Sequence, residues 1–100
     1  MSAVVVADAP ERSRYVASVD GREVGRLIYQ RRDDGTIDLE HTVVDEGCEG
    51  LGVGSSLIRF ALDDAFASGT PVIASCPFIP PFFEKHPEYP ERQSIVVPGR

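Results

Sequence analysis

The sequence predicts an α+β domain of mixed α/β order, with a largely antiparallel sheet, a β-α-β crossover and two helices. Three observations predict this fold class. Apolar and β-branched segments separated by turn residues fill residues 4–44. A glycine-rich turn over residues 50–54 then precedes a segment whose apolar residues recur at three-and-four spacing. A short apolar segment follows, and the order strand, helix, strand indicates a parallel crossover.

Four strands are predicted in the first half of the chain, over residues 4–6, 14–19, 23–29 and 36–44. Residues 8–11 and 33–35 are typical of turns. Asp20-Gly21 is a strong signal for a two-residue hairpin, because both positions tolerate positive φ. In the fourth strand, strict alternation predicts that one face is shared by Ile37, Leu39, His41 and Val43.

The long helix is predicted over about residues 52–68, with Gly69 as its C-terminal stop. Its apolar face is expected to hold Val53, Leu57, Ile58, Ala61, Leu62, Ala65 and Phe66. Residues 71–76 are predicted to form a buried strand. A short helix is expected over 80–86, because proline is tolerated in a first turn and Pro87 would end it. Residues 95–97 form an edge strand or a loose tail.

The glycine-rich turn is the candidate ligand site that the residues themselves indicate. Gly50, Gly52 and Gly54 let the backbone turn tightly and come close to a ligand. The following helix begins with unpaired N–H groups and the positive end of its dipole. This combination predicts an anion site, most often one for phosphate.

Composition bounds the remaining possibilities. The length of 100 residues predicts one domain over 1–100, with a core over about 4–89 and a tail over 90–100. The net charge of −6 argues against nucleic acid as a partner. No membrane span or signal peptide is recognisable in the sequence.

Two cysteines make no disulfide framework, so we expect a cytoplasmic protein with free thiols. His and Cys lack paired zinc spacing, and no metal is expected.

Four further segments carry a family resemblance. They are, in order, His41-Thr42, Leu62-Asp63-Asp64, Cys76-Pro77-Phe78 and His86-Pro87-Glu88-Tyr89. Together with the glycine-rich turn, they make the chain resemble a minimal subgroup of the GNAT-type N-acetyltransferases. The resemblance covers about residues 10–89 and implies a GNAT-like fold.

The resemblance also implies a co-substrate, acetyl-CoA, and a place for it. The pyrophosphate of coenzyme A would lie on the main-chain N–H groups of residues 50–55. The pantetheine arm would pair with the end of the fourth strand, and the thioester would lie where that strand separates from residues 73–76. The implied binding residues are Thr42, Val43, Val44, Gly50, Leu51, Gly52, Val53, Gly54 and Ser55.

Acetyl transfer to an amine requires a base, an oxyanion donor and a proton for the leaving thiolate. His41 is a candidate general base, and the alternative is a half-buried strand residue bonded to a neighbour. Cys76 is a candidate proton donor or transient nucleophile, and the alternative is a small buried packing residue. The resemblance implies a main-chain N–H near Val44 as the oxyanion donor.

The sequence departs from the family pattern at two places. Glu49 stands where the family usually has Arg or Gln, and its charge would repel a pyrophosphate if it pointed there. Phe82 and Phe83 stand near the usual position of a tyrosine that protonates the thiolate. Lys85 and Arg59 are the nearest candidate cations for the coenzyme's ribose phosphate, and solvated side chains are the alternative.

Two functions from different classes follow. The first is an N-acetyltransferase that uses acetyl-CoA and a small or exposed amine acceptor. The second is a non-catalytic module that binds coenzyme A or a partner, which Glu49 and Phe82 favour. A structural domain without ligand is a third interpretation. Because the chain lacks the helices that larger relatives insert after the first strand, the acceptor site is expected to be open or completed by a second subunit in a homodimer.

Overall fold

The computed structural model of the chain describes residues 3–99, so residues 1, 2 and 100 of the predicted domain lie outside it. Its strands are β1 Val5–Ala9, β2 Arg14–Val19, β3 Arg22–Arg31, β4 Ile37–Val44, β5 Val72–Ala74 and β6 Ile95–Val96. Its α-helices are α1 Val53–Ser68, α2 Ile79–Lys85 and α3 Glu88–Arg92. A single 3-10 turn, Pro10–Arg12, joins β1 to β2.

The strands form one six-stranded sheet in sequence order, β1-β2-β3-β4-β5-β6. The first four strands are antiparallel neighbours, and β5 and β6 continue the sheet in parallel. The mixed α/β fold class and the crossover through α1 are therefore confirmed. The Asp20-Gly21 hairpin is also present, with φ of 52° and 79° at its two turn residues.

The core lies between the sheet and α1. Helix α1 buries the residues of its predicted apolar face from Val53 to Ala65, and they pack against β2, β3 and β4. Phe66 differs from the prediction, because it is exposed and lies under the guanidinium of Arg92, 4.3 Å from its ring centroid. At the other side of the helix, Gly25 of β3 allows close approach, since a Cβ there would lie 2.7 Å from Val53 Cγ1.

The C-terminal part of the chain differs from the sequence prediction. Helix α3 was not expected, and residues 90–92, predicted as tail, complete it. Strand β6 confirms the edge-strand alternative for residues 95–97. Pro87 occupies the N-cap position of α3, and Pro90 lies in its first turn, where a missing N–H costs no helical hydrogen bond. Helix α3 is held to α1 by the ion pair of Arg92 with Asp63 and by Gln93, which donates to the carbonyl of Leu62.

Candidate functional site

Strand β4 continues well beyond its parallel partner β5. The two strands pair only over Ile37–Leu39, and the N–H of Cys76 then donates to the carbonyl of Leu39 at 2.8 Å. Within the described residues, no strand pairs with β4 from residue 40 to 44 on the β5 side. The strands therefore separate there and leave main-chain groups of β4 open to a ligand.

A β-bulge decides which side chains of β4 face this opening. The register between β3 and β4 shifts by one residue at Glu40. After the shift, Thr42 and Val44 point toward the helices, whereas His41 and Val43 are exposed on the opposite face. The prediction that His41 and Val43 share the face of Leu39 and Ile37 is wrong for this reason, since one extra residue reverses the alternation.

The glycine-rich turn opens directly onto α1. Gly50 and Gly52 have φ of 89° and 77°, a region that other residues rarely adopt. Gly52 is the N-cap of α1, with no side-chain cap and no acidic residue in the first turn. The first helical hydrogen bond runs from the N–H of Ser56 to the carbonyl of Gly52. The preceding N–H groups have no helical acceptor, so this end of α1 is suited to an anion.

The two non-glycine residues among 49–52 are Glu49, directly before the turn, and Leu51, within it. Glu49 Oε2 accepts a hydrogen bond from the N–H of Gly47 at 2.8 Å, which ties the carboxylate back to its own loop. Leu51 is 56% exposed and lies outside the cavity described next. The turn therefore contributes mainly main-chain groups and one acidic side chain.

A cavity of about 660 Å³ lies between β4, the glycine-rich turn, α1 and α2, a volume typical of small-molecule sites. The first wall comes from β4, the turn and α1, and consists of Thr42, Val44, Cys48, Glu49, Gly50, Gly52, Val53, Gly54, Ser55 and Ile58. All the residues that the resemblance implied for coenzyme binding line the cavity, except Val43 and Leu51.

The second wall comes from α2 and the residues at its two ends. It consists of Phe78, Pro81, Phe82, Lys85 and His86. These positions recur at three-and-four spacing, so one face of the short helix is turned to the cavity. The same spacing is present in the sequence, but His86 and Phe82 enter the sequence prediction only through the family resemblance and through a departure from it. The helix ends at Lys85, one residue before the predicted end, and the N–H of its C-cap residue His86 donates to the carbonyl of Phe82.

Cys76 lies behind the cavity wall and is fully buried. Its Sγ is 3.2 Å from the Oγ1 of Thr42, which does line the cavity, so Thr42 connects the thiol to the ligand space. His41 lies on the other face of β4. The structure does not bring the two predicted catalytic side chains together. The second thiol, Cys48, is half-buried and lines the cavity directly, and no role was predicted for it.

Of three further residues near the site, Lys85, Arg59 and Tyr89, the structure places one in the cavity wall. Lys85 lines the cavity, whereas Arg59 does not, and its guanidinium lies 6.0 Å from the ring centroid of Phe82. Tyr89 is buried against Phe82, with ring centroids 5.3 Å apart, and stays outside the cavity. Burial raises the pKa of the Tyr89 phenol.

Residues 3–99 contain no group of three or more His, Cys, Asp or Glu side chains placed to hold a metal ion. None of the helices in that part of the chain is both long and apolar enough to cross a membrane.

Comparisons with known proteins identify the family and the fold. The sequence pattern of a family described as GCN5-related N-acetyl-transferase matches residues 14–92, most of the chain. The protein therefore belongs to the GCN5-related N-acetyltransferase family. A solution NMR structure of a GCN5-like protein from Staphylococcus aureus has the same fold, with a TM-score of 0.67 and 22% sequence identity. That match covers 100% of this chain and 97% of the other. No curated protein matches the sequence.

Proposed function

We propose that the protein binds acetyl-CoA in the cavity between β4, α1 and α2 and transfers the acetyl group to an amine. The observation that carries the proposal is the uncapped, glycine-rich N-terminus of α1 beside the unpaired edge of β4. A pyrophosphate needs N–H donors, and an extended pantetheine arm needs strand-like partners. The cavity offers both along one wall.

The residues present fit such a coenzyme. A Cβ added at Gly50 or Gly52 would meet nothing within 4 Å, so the turn leaves open space at its N–H groups. The N–H groups of residues 50 and 52–55 would bind the pyrophosphate, and the main chain of Thr42 and Val44 would bind the pantetheine amides. Val43 and Leu51, which the resemblance also implied, are less suited, because the carbonyl of Val43 lies against Gly25 of β3 and the N–H of Leu51 donates to the carbonyl of Cys48 at 3.4 Å.

The coenzyme supplies an activated thioester, and the chain must orient it and handle protons. Thr42 is the polar side chain at the inner wall, and its contact with Cys76 makes a hydroxyl–thiol pair beside the expected acetyl group. This pair could protonate the leaving thiolate in place of the missing tyrosine. His41 could act as a general base only on an acceptor that reaches the strand separation from the outer face.

A non-catalytic coenzyme-binding module is the second candidate function. Two observations favour it. Phe82 occupies the cavity wall with a ring that has no acidic proton, and Cys76 is fully buried behind Thr42. Both reduce the groups available for chemistry without removing the binding surface.

Acetyl-CoA turnover, with thiol release as the readout, distinguishes the two functions. The assay uses acetyl-CoA alone and with a polyamine or a lysine-containing peptide. If the protein is an enzyme, wild type releases thiol from acetyl-CoA. Cys76→Ala or Thr42→Val then releases thiol more slowly but still binds the coenzyme. Cys48→Ala is the matched thiol control, and we expect it to retain turnover. A raised melting temperature with coenzyme but no turnover supports the module, and no thermal shift contradicts both.

The cellular setting is part of the same proposal. Cys48 and Cys76 are unpaired, as is usual in the reducing cytoplasm, where acetyl-CoA is available. Within residues 3–99, β1 and β2 are joined only by the 3-10 turn Pro10–Arg12, so we propose an exposed amine, or a second subunit that completes the site in a homodimer.

A further inference from the structure

The charges around the cavity are distributed in an unexpected way. The residue before the glycine-rich turn is an acid, Glu49, and the turn itself carries no base, although a coenzyme with several phosphates is strongly anionic. The opposite wall carries Lys85 at the end of α2. We propose that Lys85 supplies the phosphate-binding cation that the turn lacks. This inference rests on the proposed function and names the residue that selects the phosphorylated form of the ligand.

The position of Lys85 supports this role. It lies on the face of α2 that also presents Phe78 and Phe82 to the cavity, one turn beyond Phe82. Lys85 is exposed and has no ion pair within residues 3–99, whereas four arginines of that region are paired with carboxylates. A cation that faces a ligand cavity without a protein partner is available for a ligand anion.

Arg59 is the other cation that could serve this role, but it does not line the cavity. Its guanidinium lies 6.0 Å from the ring centroid of Phe82, which does line the cavity. Arg59 instead lines a small groove beside β1, together with Val4, Val6 and Asp63. The two cations that the sequence could not distinguish therefore face different spaces.

Glu49 on the opposite wall strengthens the case for Lys85. Glu49 lines the same cavity, and its hydrogen bond to Gly47 orients the carboxylate without removing the charge. Two like charges at close range repel, so the main-chain donors of the turn act against a local negative field. Lys85 offsets that field from the other wall, and the N–H groups of the glycine-rich turn then orient the bound phosphates.

Calorimetric titration of the intact protein tests the inference, with coenzyme A, 3′-dephospho-coenzyme A and pantetheine as probes. We expect Lys85→Met to weaken coenzyme A binding about tenfold, equivalent to about 1.4 kcal/mol. Lys85→Arg should retain most of the affinity, and Arg59→Met is the matched control that should bind as wild type does. Added salt should weaken wild-type binding more than binding by Lys85→Met. Pantetheine should bind both proteins alike.

Melting temperatures of the variants check that each protein is folded. If wild type binds coenzyme A and Lys85→Met binds it equally well, the inference is overturned and the proposed function stands. An equal loss for pantetheine also overturns it, since that result would assign Lys85 to packing. If Lys85→Met binds coenzyme A more weakly than wild type but binds 3′-dephospho-coenzyme A equally well, the Lys85 contact is with the ribose phosphate. If Lys85→Met binds both forms more weakly than wild type, the contact is with the pyrophosphate. If wild type binds none of the probes, the proposed function fails as well.

Discussion

The two flanks of α1 differ in how completely their apolar side chains are packed and their polar groups are hydrogen-bonded by the rest of the chain. On the flank facing β2 and β3, Leu57 is fully buried and the phenol of Tyr15 donates to Asp64 at 2.8 Å. On the flank facing α2, Ile58 lines a cavity and the helix N-terminus has no cap. The closed flank provides stability, and the open flank keeps main-chain groups free for a ligand.

The largest expected difference between the flanks comes from two neighbouring residues of α1. Leu57→Ala should lower the free energy of unfolding by about 2–5 kcal/mol, because it leaves a cavity in a packed core. Ile58→Ala should cost less, since one side of Ile58 already faces empty space. Urea unfolding measures both variants. Equal costs would contradict the contrast between the flanks.

Alanine substitutions at Gly25 and Gly54 should have opposite effects on stability, because the first lies in the packed flank and the second beside the cavity. A Cβ at Gly25 would lie 2.7 Å from Val53 Cγ1 and 2.9 Å from the carbonyl of Val43, so Gly25→Ala should cost about 1–3 kcal/mol. At Gly54 the nearest atom would be Val44 Cγ2 at 3.8 Å. Gly54→Ala should therefore stabilise α1 by up to about 1 kcal/mol. Thermal unfolding of both proteins checks the opposite signs, and a destabilised Gly54→Ala would contradict them.

The tyrosines of the closed flank give a smaller, pH-dependent effect. Burial, followed by the hydrogen bond to Asp8, raises the pKa of Tyr29 to about 12 from 10.0. The folded state therefore holds the phenol proton longer than the unfolded state. This contribution to stability is complete below about pH 10 and is lost as the pH rises through 12.

Tyr29→Phe should cost about 0.5–1.5 kcal/mol at neutral pH and flatten the alkaline decline. Unfolding measured at a series of pH values up to 12 tests the prediction against wild type. An unchanged alkaline slope in the variant would show that another group governs the decline. Tyr15 is expected to add to the decline in both proteins, because its pKa is also raised by burial and by Asp64.

The smallest effect is expected at the open flank. Glu49→Gln keeps an acceptor for the N–H of Gly47, so the melting temperature should barely change. Coenzyme binding should tighten a few-fold, because the charge that opposes the phosphates is removed. Titration with coenzyme A measures the change. Weaker binding by Glu49→Gln would mean that the carboxylate helps the ligand rather than repelling it.

The sequence predicted the hairpin and the start of α1 correctly, because both depend on residues that are neighbours in the chain. Asp20-Gly21 specified the hairpin, and the glycine-rich turn before an amphipathic segment specified the start of α1. The bulge at Glu40 could not be predicted, because the alternation from Ile37 to Val43 is unbroken in the sequence and only the pairing with β3 reverses it. That single residue moved His41 away from the cavity.

The cavity wall formed by α2 illustrates a different limit. The spacing of Phe78, Phe82 and Lys85 was visible, but a short helix with two prolines gave no indication of what its apolar face would contact. Only the packing of α2 across the gap between β4 and α1 turned that face into a wall of the cavity. Which cation faces a ligand therefore depended on tertiary structure.

The most direct test of the account is a titration of the isotope-labelled protein with acetyl-CoA, followed by the backbone amide resonances. We expect the largest shifts on residues 50–55, with smaller shifts at Thr42 and Val44, while β1 and β2 stay unchanged. Saturable shifts elsewhere on the protein, with residues 50–55 unaffected, would contradict it.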